Sequence, residues 1–337
     1  MIKIIAELAQ GFEGKPEQAQ LLVLAAARAG ADAVKLQLVY ADELCTPEYK
    51  DFNLFESLEM SDQVWKALAT SAKQMDIELH FDVFGLRSLA LAESLGAQAV
   101  KIHGTDMGNL GLLKAVARSG VPQVLLGAGG GIRSEIDQAV ELLAGKQIAV
   151  LLGFQGYPTP NEANQIDRVR VLAKVFSSRP HVTIGFADHA PPNSPLSLAL
   201  PATALGAGAK IFEKHLTLGQ IMKLEDHEAA LNPDQFNEFV IALRACADAL
   251  GDTMSSPDFG MSEAEQDYRQ WTRKHVVACQ PIKAGTFINP DSVVLKRTPS
   301  KDILTDLDSV YGRRVLRDIP VNQPISPADI QEAEGQA

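Results

Sequence analysis

Charged and polar residues stand at the ends of short apolar runs throughout the first 250 residues of the chain. They are Glu7, Lys35 with Gln37, Asp82, Lys101 with His103, the glycine-rich segment 127–131 around Gly129, Gln155 with Tyr157, Asp188 with His189, and Glu213 with His215. Charged side chains inside apolar strands are costly to bury unless they are paired or bind a ligand. The set therefore predicts a catalytic or ligand-binding centre.

Two of these residues, His189 and His215, follow consecutive apolar runs and could share a divalent metal ion. Glu213 lies two residues before His215 on the same strand face, and Asp188 is beside His189. Such carboxylates can fix the tautomer of a metal-binding imidazole. The alternative is a pair of ordinary buried or loop histidines, but the flanking carboxylates favour the metal.

Lys35 and Lys101 each lie late in an apolar run, which predicts that they bind an anionic substrate. The alternative is a set of salt bridges inside the fold, for example to Glu7 and Asp82. The glycine-rich segment would let backbone N–H groups approach a phosphate, although glycines of this kind also serve ordinary turns.

These residues are carried by eight β-rich runs that alternate with stretches of helical period, a pattern typical of parallel strands joined by helices. The runs are 2–7, 33–37, 77–82, 99–103, 123–126, 148–152, 182–186 and 209–213. Eight such units predict a (β/α)8 TIM barrel, in which strand ends converge on one mouth. An open doubly wound sheet is the alternative, but the first strand is not followed by Gly-x-Gly-x-x-Gly.

The alternation stops near Gly251, which predicts a barrel over 1–251 and a polar linker with a short helix over 252–273. Short β segments punctuated by Gly, Pro and Asn then predict a small, mostly-β domain over 274–337. A piece of this size buries little core, so we expect it to lean on the barrel or on a partner subunit.

Composition excludes several other classes of protein. The net charge is -11 and no basic run occurs, so nucleic acid is not an expected partner. The three cysteines are widely separated, which argues against disulfide frameworks and cysteine metal sites. No apolar run reaches the roughly 20 residues of a membrane span, and the start lacks a signal peptide. We expect a soluble, cytoplasmic protein with no membrane partner.

Several segments together resemble the sialic acid synthase family, that is, the N-acetylneuraminate synthase type with its spore coat polysaccharide biosynthesis members. They include Gly-Phe-Ala-Asp-His at 185–189, Glu-Lys-His-Leu-Thr at 213–217, and the segments 5–7, 30–37, 100–102, 134–136, 157–160, 226–227 and 231–233. The last part, with 282–285 and 296–297, resembles the antifreeze-like (SAF) domain that those enzymes carry.

The resemblance implies a transferase that condenses phosphoenolpyruvate with an N-acetylated aldose, similar to N-acetylmannosamine, to make a nonulosonic acid for surface polysaccharide. It implies Mn²⁺ or Mg²⁺ at His189 and His215, and a domain-swapped homodimer. The implied catalytic residues are Glu7, Lys35, Lys101 and Asp226. The implied substrate-binding residues are Gln37, Asp82, Thr105, Gly129, Tyr157, Asp188, Glu213 and Arg297, the last contacting the N-acetyl group from the SAF domain.

The chain differs from the family in the loops that follow several strands, where hydroxyl side chains are replaced. Asp82 brings a carboxylate to one such loop, and glycines stand at 127 and 129 in another. Like charge from Asp82 would weaken phosphate binding. Two alternatives therefore stay open: a metal-dependent aldolase or epimerase of another sugar acid, and a non-catalytic sugar-binding relative.

Overall fold

The structure, a computed structural model, describes residues 2–153, 156–251, 260–300 and 303–331. The chain divides into two compact units, Met1–Leu250 and Gly251–Ala337. No helix in these described ranges has both the length and the apolar character needed to cross a membrane.

The first unit is a closed barrel of eight parallel strands in sequential order, with β8 pairing back onto β1. The strands are β1 Lys3–Ala9, β2 Ala33–Leu38, β3 Glu78–Val83, β4 Ala99–Ile102, β5 Gln123–Gly127, β6 Gln147–Leu152, β7 Val182–Asp188 and β8 Ile211–His215. Each of the eight predicted runs overlaps one strand. The prediction of a TIM barrel is confirmed.

Ten α-helices belong to the described part of this unit, and the connection between β2 and β3 alone carries three of them. They are α1 Pro16–Arg28, α2 Ala41–Leu44, α3 Phe52–Ser57, α4 Asp62–Gln74, α5 Leu86–Ser94, α6 Leu110–Arg118, α7 Arg133–Leu142, α8 Asp167–Val175, α9 Leu196–Gly206 and α10 Pro233–Leu250. The helix α1 starts on a proline, which suits a first turn, and buries a stripe at helical spacing that includes Leu22 and Ala26. Its chain reverses into β2 through Gly30, whose φ of 83° lies in the left-handed region.

The interior of the barrel has an apolar layer below a charged one. The apolar layer consists of Ile5, Ala33, Ala99, Leu125, Ala149, Leu151, Ala187 and Ile211, all buried. Because side chains alternate along a strand, Glu7 points inward like Ile5, two residues further toward the carboxyl end. The register places Glu7 beside both Lys35 and His215. The same register places Asp82 beside Lys101.

At the opposite, amino-terminal end of the barrel, His80 is fully buried and its Nε2 lies 2.9 Å from Glu78 Oε2. Burial lowers the pKa of His80 below its ordinary 6.5, although Glu78 opposes this shift. Below about pH 6.5 the unfolded chain therefore binds a proton that the folded chain does not take up. We expect the free energy of unfolding to fall as the pH drops from 6.5 toward 5.

The variant His80→Leu tests this expectation by denaturant unfolding at a series of pH values. Removing the imidazole removes its share of the proton uptake, so the variant loses less stability over this interval than the wild type. Parallel pH profiles for the two proteins would show that His80 titrates alike in both states.

In the described part of the second unit, the first helix is α11 Glu263–Thr272, which is the short helix predicted there and is capped by the Ser262 hydroxyl. Its strands β9 His275–Ala278 and β10 Val293–Lys296 pair antiparallel. It has a core of its own, formed by Val276, Ala278, Ile282, Ile288, Val293, Val310, Val315, Ile319, Ile325 and Ile330.

The sequence also predicts β segments at 285–288, 314–316 and 324–325, but these form single bridges and not strands. Phe287 bridges to Arg314, Val315 to Ile330, and Pro324 to Val277. Proline lacks the N–H needed for a continuous ladder, and glycines at positive φ, such as Gly285 and Gly312, turn the chain after one pair.

Candidate active site

Five buried charged residues form a connected group inside the carboxyl end of the barrel; we call Glu7, Lys35, Asp82, Lys101 and Glu213 the charged ring. Lys35 Nζ forms an ion pair with Glu7 Oε2 and lies 2.8 Å from Asp82 Oδ1 and 3.6 Å from Glu213 Oε2. Lys101 Nζ lies 2.6 Å from Glu213 Oε1 and 4.0 Å from Glu7 Oε2. Both lysines therefore have partners within the chain, the arrangement that the sequence left as an alternative to substrate binding.

The charged ring holds three carboxyl groups against two ammonium groups, and this imbalance sets its protonation. Burial raises the pKa of Glu7, and the nearby carboxylates add to the shift against the pull of Lys35. Burial also disfavours the charge on Lys35, but Asp82, Glu213 and Glu7 outweigh it and hold the Lys35 pKa well above its usual value. Burial acts to raise the pKa of Glu213, but the positive charges of Lys101 and Lys35 outweigh it and bring that pKa well below the ordinary range. Glu7 is thus the carboxyl group of the ring best suited to carry a proton.

A bulge at the end of β1 fixes the side chain of Glu7. The β1–β2 register shifts between Glu7 and Ala9, and the Ala9 N–H donates to Glu7 Oε1 at 2.7 Å. Ala9 has a φ of 45°, which is in the left-handed region and is strained for an alanine.

We expect Ala9→Gly to lower the free energy of unfolding by less than Ala6→Gly does, because relief of left-handed strain offsets the loss of a buried methyl group and the added freedom of the unfolded chain. Chemical denaturation measures the change. Ala6→Gly in the same strand is the matched control: Ala6 is fully buried and is not at positive φ, so its substitution should destabilise. Equal losses of stability in Ala9→Gly and Ala6→Gly would contradict the strain.

His189 and His215 lie side by side above the charged ring, with ring centroids 5.1 Å apart. Both are at most 4% exposed, and neither Nδ1 atom has a hydrogen-bond partner among the described residues. The Tyr157 ring stands edge-on to both imidazoles, at centroid distances of 5.3 and 5.8 Å. Asp226, on a turn with φ of 62°, brings its Oδ2 to 3.7 Å from His215 Nε2.

The two imidazoles fit a divalent cation, since buried nitrogen atoms without partners are suitable donors. No group of three or more His, Cys, Asp or Glu side chains in the described ranges is arranged to hold a metal ion by itself. The chain would therefore supply two nitrogen ligands and leave the other coordination positions to water or substrate. Burial, followed by the effect of His215, lowers the pKa of His189 well below 6.5, so that the imidazole is uncharged at neutral pH and has one ring nitrogen free to bind a cation.

The carboxylates predicted to orient these imidazoles are placed differently. Asp188 accepts from Lys214 Nζ at 2.7 Å and from the Ala190 N–H at 2.9 Å, on the outer face of the barrel wall. Glu213 points inward but bonds to Lys101 in the charged ring. The prediction that Asp188 fixes the His189 ring is wrong because strand alternation turns its side chain away from the mouth.

The other predicted residues occupy the rim or lie elsewhere. Gln37 accepts a hydrogen bond from Gln10 Nε2 at 2.8 Å. Thr105 is exposed after β4, with its Oγ1 2.9 Å from His103 Nδ1. Gly129 brings its carbonyl so close to Gly104 that no side chain fits there.

The two predicted residues that remain are Arg297 and Gln155. Arg297 is an exposed residue of the second unit, where its Nε donates to the Thr272 carbonyl at 3.1 Å. Gln155 lies outside the described residues.

Sequence reasoning missed Lys214, which is fully buried and bonds to both Asp188 and Ala190. Burial lowers the pKa of its ammonium group, and Asp188 opposes that shift. A signal was present: a lysine between the inward residues Glu213 and His215 must face outward, where it needs a carboxylate partner. Its neighbour in the β7–β8 register is Asp188.

The fold is a parallel (β/α)8 barrel with two paired lysines and two neighbouring histidines at its mouth, and comparisons with known proteins identify the family. The model described as the NeuB family matches residues 22–255, and the SAF domain model matches 273–331. The chain belongs to the NeuB family. It is a sialic-acid-synthase-like enzyme, and the predicted family and SAF domain are confirmed.

Named relatives span nearly the whole chain. Spore coat polysaccharide biosynthesis protein SpsE of Bacillus subtilis is 30% identical, over 97% of this chain and 93% of its own. N,N'-diacetyllegionaminic acid synthase of Campylobacter jejuni is 28% identical, over 87% of this chain and 90% of its own. The structure of putative spore coat polysaccharide biosynthesis protein E from Chromobacterium violaceum matches with a TM-score of 0.81 at 24% identity, covering 98% of this chain and 100% of that chain. That structural likeness bears on the fold alone.

Proposed function

We propose that the enzyme condenses phosphoenolpyruvate with an N-acetylated aldose and water to give a nonulosonic acid and phosphate, for surface polysaccharide. The observation that carries the proposal is the pair of neighbouring buried histidines, whose Nδ1 atoms have no hydrogen-bond partner among the described residues, at the same barrel mouth as two buried lysines. Membership of the NeuB family and the synthase names of the relatives support it.

In the proposed reaction a bond forms between C3 of phosphoenolpyruvate and the aldehyde carbon, water adds at C2, and phosphate leaves. Lys101 and Lys35 bind the anionic donor as it enters above the charged ring. Glu7, held by the Ala9 N–H, carries a proton that it can deliver to the oxygen formed from the aldehyde. A divalent cation at His189 and His215, Mn²⁺ or Mg²⁺, would supply Lewis-acid polarisation of the aldehyde.

Measuring the release of free phosphate tests the proposal. The protein is incubated with Mn²⁺, phosphoenolpyruvate and a panel of N-acetylated and plain aldoses. Release of phosphate that requires both an N-acetylated sugar and the metal supports the condensation. Absence of release with every sugar, at a metal concentration that saturates the protein, would contradict it.

A second candidate is a metal-dependent aldolase acting on a sugar acid, and the Asp82 carboxylate favours it. Asp82 Oδ1 lies 2.8 Å from Lys35 Nζ, so Lys35 already has a carboxylate partner before any donor binds. A ring of this kind suits a substrate with one carboxylate better than one that also carries a phosphate. Formation of pyruvate from a sugar acid, without phosphoenolpyruvate, would identify this activity.

We also propose a domain-swapped homodimer in which Arg297 reaches the partner's barrel mouth and contacts the N-acetyl group. Its planar donors suit a carbonyl oxygen. The test mixes a His215→Ala chain with an Arg297→Ala chain under subunit exchange. A swapped dimer rebuilds one intact site in each mixed dimer, so a 1:1 mixture regains about a quarter of wild-type activity. A mixture that stays inactive at every ratio would contradict the swap.

A further inference from the structure

A buried ion pair on the outer face of the barrel wall flanks both histidines of the site. Lys214 lies between Glu213 and His215 on β8 and faces outward. Its Nζ lies 2.7 Å from Asp188 Oδ2 and donates to the Ala190 carbonyl at 2.8 Å. Asp188 Oδ1 in turn accepts the Ala190 N–H at 2.9 Å.

These contacts enclose the backbone of His189, because Asp188 and Ala190 are its two neighbours in the chain. The His189 carbonyl is itself held, by the Thr159 N–H at 3.1 Å. Lys214 is also the chain neighbour of His215. One ammonium group therefore ties the turn that carries the first histidine to the strand that carries the second.

Stability alone does not account for this pair. Asp188 is 1% exposed and Lys214 is fully buried, so both charges have lost their water. Replacing a buried ion pair by apolar side chains of similar volume is often neutral or stabilising. Neither charged group points into the barrel, where a substrate would bind. What the pair provides, and an apolar pair would not, is directional contact on both sides of His189.

We propose that Lys214 and Asp188 are positioning residues that set the separation of the two imidazoles and thereby the affinity of the site for a divalent cation. The inference rests on the proposed function, since it takes His189 and His215 as the ligands of that cation.

The test is the double variant Asp188→Leu/Lys214→Met, which removes both charges at similar volume and leaves no buried charge unpaired. Mn²⁺ binding to chelator-treated protein is followed by the electron paramagnetic resonance of free Mn²⁺, and folding by circular dichroism. We expect the Kd for Mn²⁺ to rise about 10–100-fold, with a thermal midpoint equal to or above that of the wild type. The matched control is Lys3→Met/Glu78→Leu, an ion pair of 2.7 Å at the opposite end of the barrel, which should leave the Kd unchanged.

A folded double variant with wild-type Mn²⁺ affinity would overturn the inference. If the double variant does not fold, the Kd for Mn²⁺ is measured on Asp188→Asn instead. This variant keeps the size of the side chain and the Lys214 contact to Ala190. We expect its Kd to rise several-fold, and wild-type affinity there would equally overturn the positioning role. Wild-type protein that binds no Mn²⁺ would instead refute the proposed metal site and the positioning role with it.

Discussion

Replacing either His189 or His215 with alanine is expected to abolish Mn²⁺ binding and to lower kcat/KM by about 10²–10⁴-fold. The chain offers two imidazoles at this point, and a single remaining nitrogen cannot hold the cation at micromolar concentrations. Metal content of the purified variants and steady-state kinetics give the two readouts. Because each histidine side chain lies at the mouth of the barrel and not in the apolar core, both variants should stay folded.

His181→Ala is the matched control for these variants. His181 lies just before the start of β7, whereas His189 lies just after the end of that strand. The loss of the His181 side chain should therefore change neither the metal content nor kcat/KM. Full metal retention in both His189→Ala and His215→Ala would contradict the assignment of the metal site.

Lys101→Met is expected to raise the KM for phosphoenolpyruvate by roughly 10–100-fold and the KM for the sugar far less. Lys101 is 3% exposed at the mouth, and its ammonium group is held by Glu213 at 2.6 Å, so it is already oriented for an anion. Its loss removes a charge-assisted contact to the donor and leaves Glu213 closest to Lys35, at 3.6 Å.

Lys3→Met provides the matched control, since Lys3 is an inward lysine paired with Glu78 at the far end of the barrel. Its KM values should equal those of the wild type. Equal increases in both KM values for Lys101→Met would indicate that the lysine is a structural member of the charged ring and not a donor ligand.

The barrel was predictable because two signals, the short apolar runs and the stretches of helical period, alternate regularly along the chain. Each apolar run is short, is followed by a helical stretch, and in several repeats is preceded by a glycine such as Gly30 that reverses the chain. In the second unit, glycines and prolines appear every few residues. Local β propensity there marks where the chain is extended but not how many residues pair, as the single bridge between Phe287 and Arg314 shows.

The site was predictable as a set of residues but not as a set of contacts. Strands of a parallel barrel are buried on both faces, so hydropathy does not reveal which way a side chain points. Asp188 and His189 are adjacent in the sequence, yet the carboxylate faces Lys214 on the outside. The direction of a side chain can be predicted only from its spacing to a residue on the same strand that is already known to point inward. Residues an even number of positions away point inward, and residues an odd number away point outward.

The partners of Lys35 likewise could not be predicted from the sequence. Both a substrate anion and an internal carboxylate satisfy the same requirement for a counter-charge. Only the three-dimensional register, which brings Glu7 and Asp82 to the same lysine, shows that the chain supplies counter-charges of its own.

The most direct test of the account follows the new carbon–carbon bond itself. Phosphoenolpyruvate labelled with ¹³C at C3 and N-acetylmannosamine labelled with ¹³C at C1 are incubated with the Mn²⁺-loaded enzyme and observed by carbon NMR. The account predicts a one-bond coupling between the two labels, growing at the rate at which phosphate is released. Labels that stay uncoupled while phosphate is released, with C3 recovered as pyruvate, would contradict the condensation.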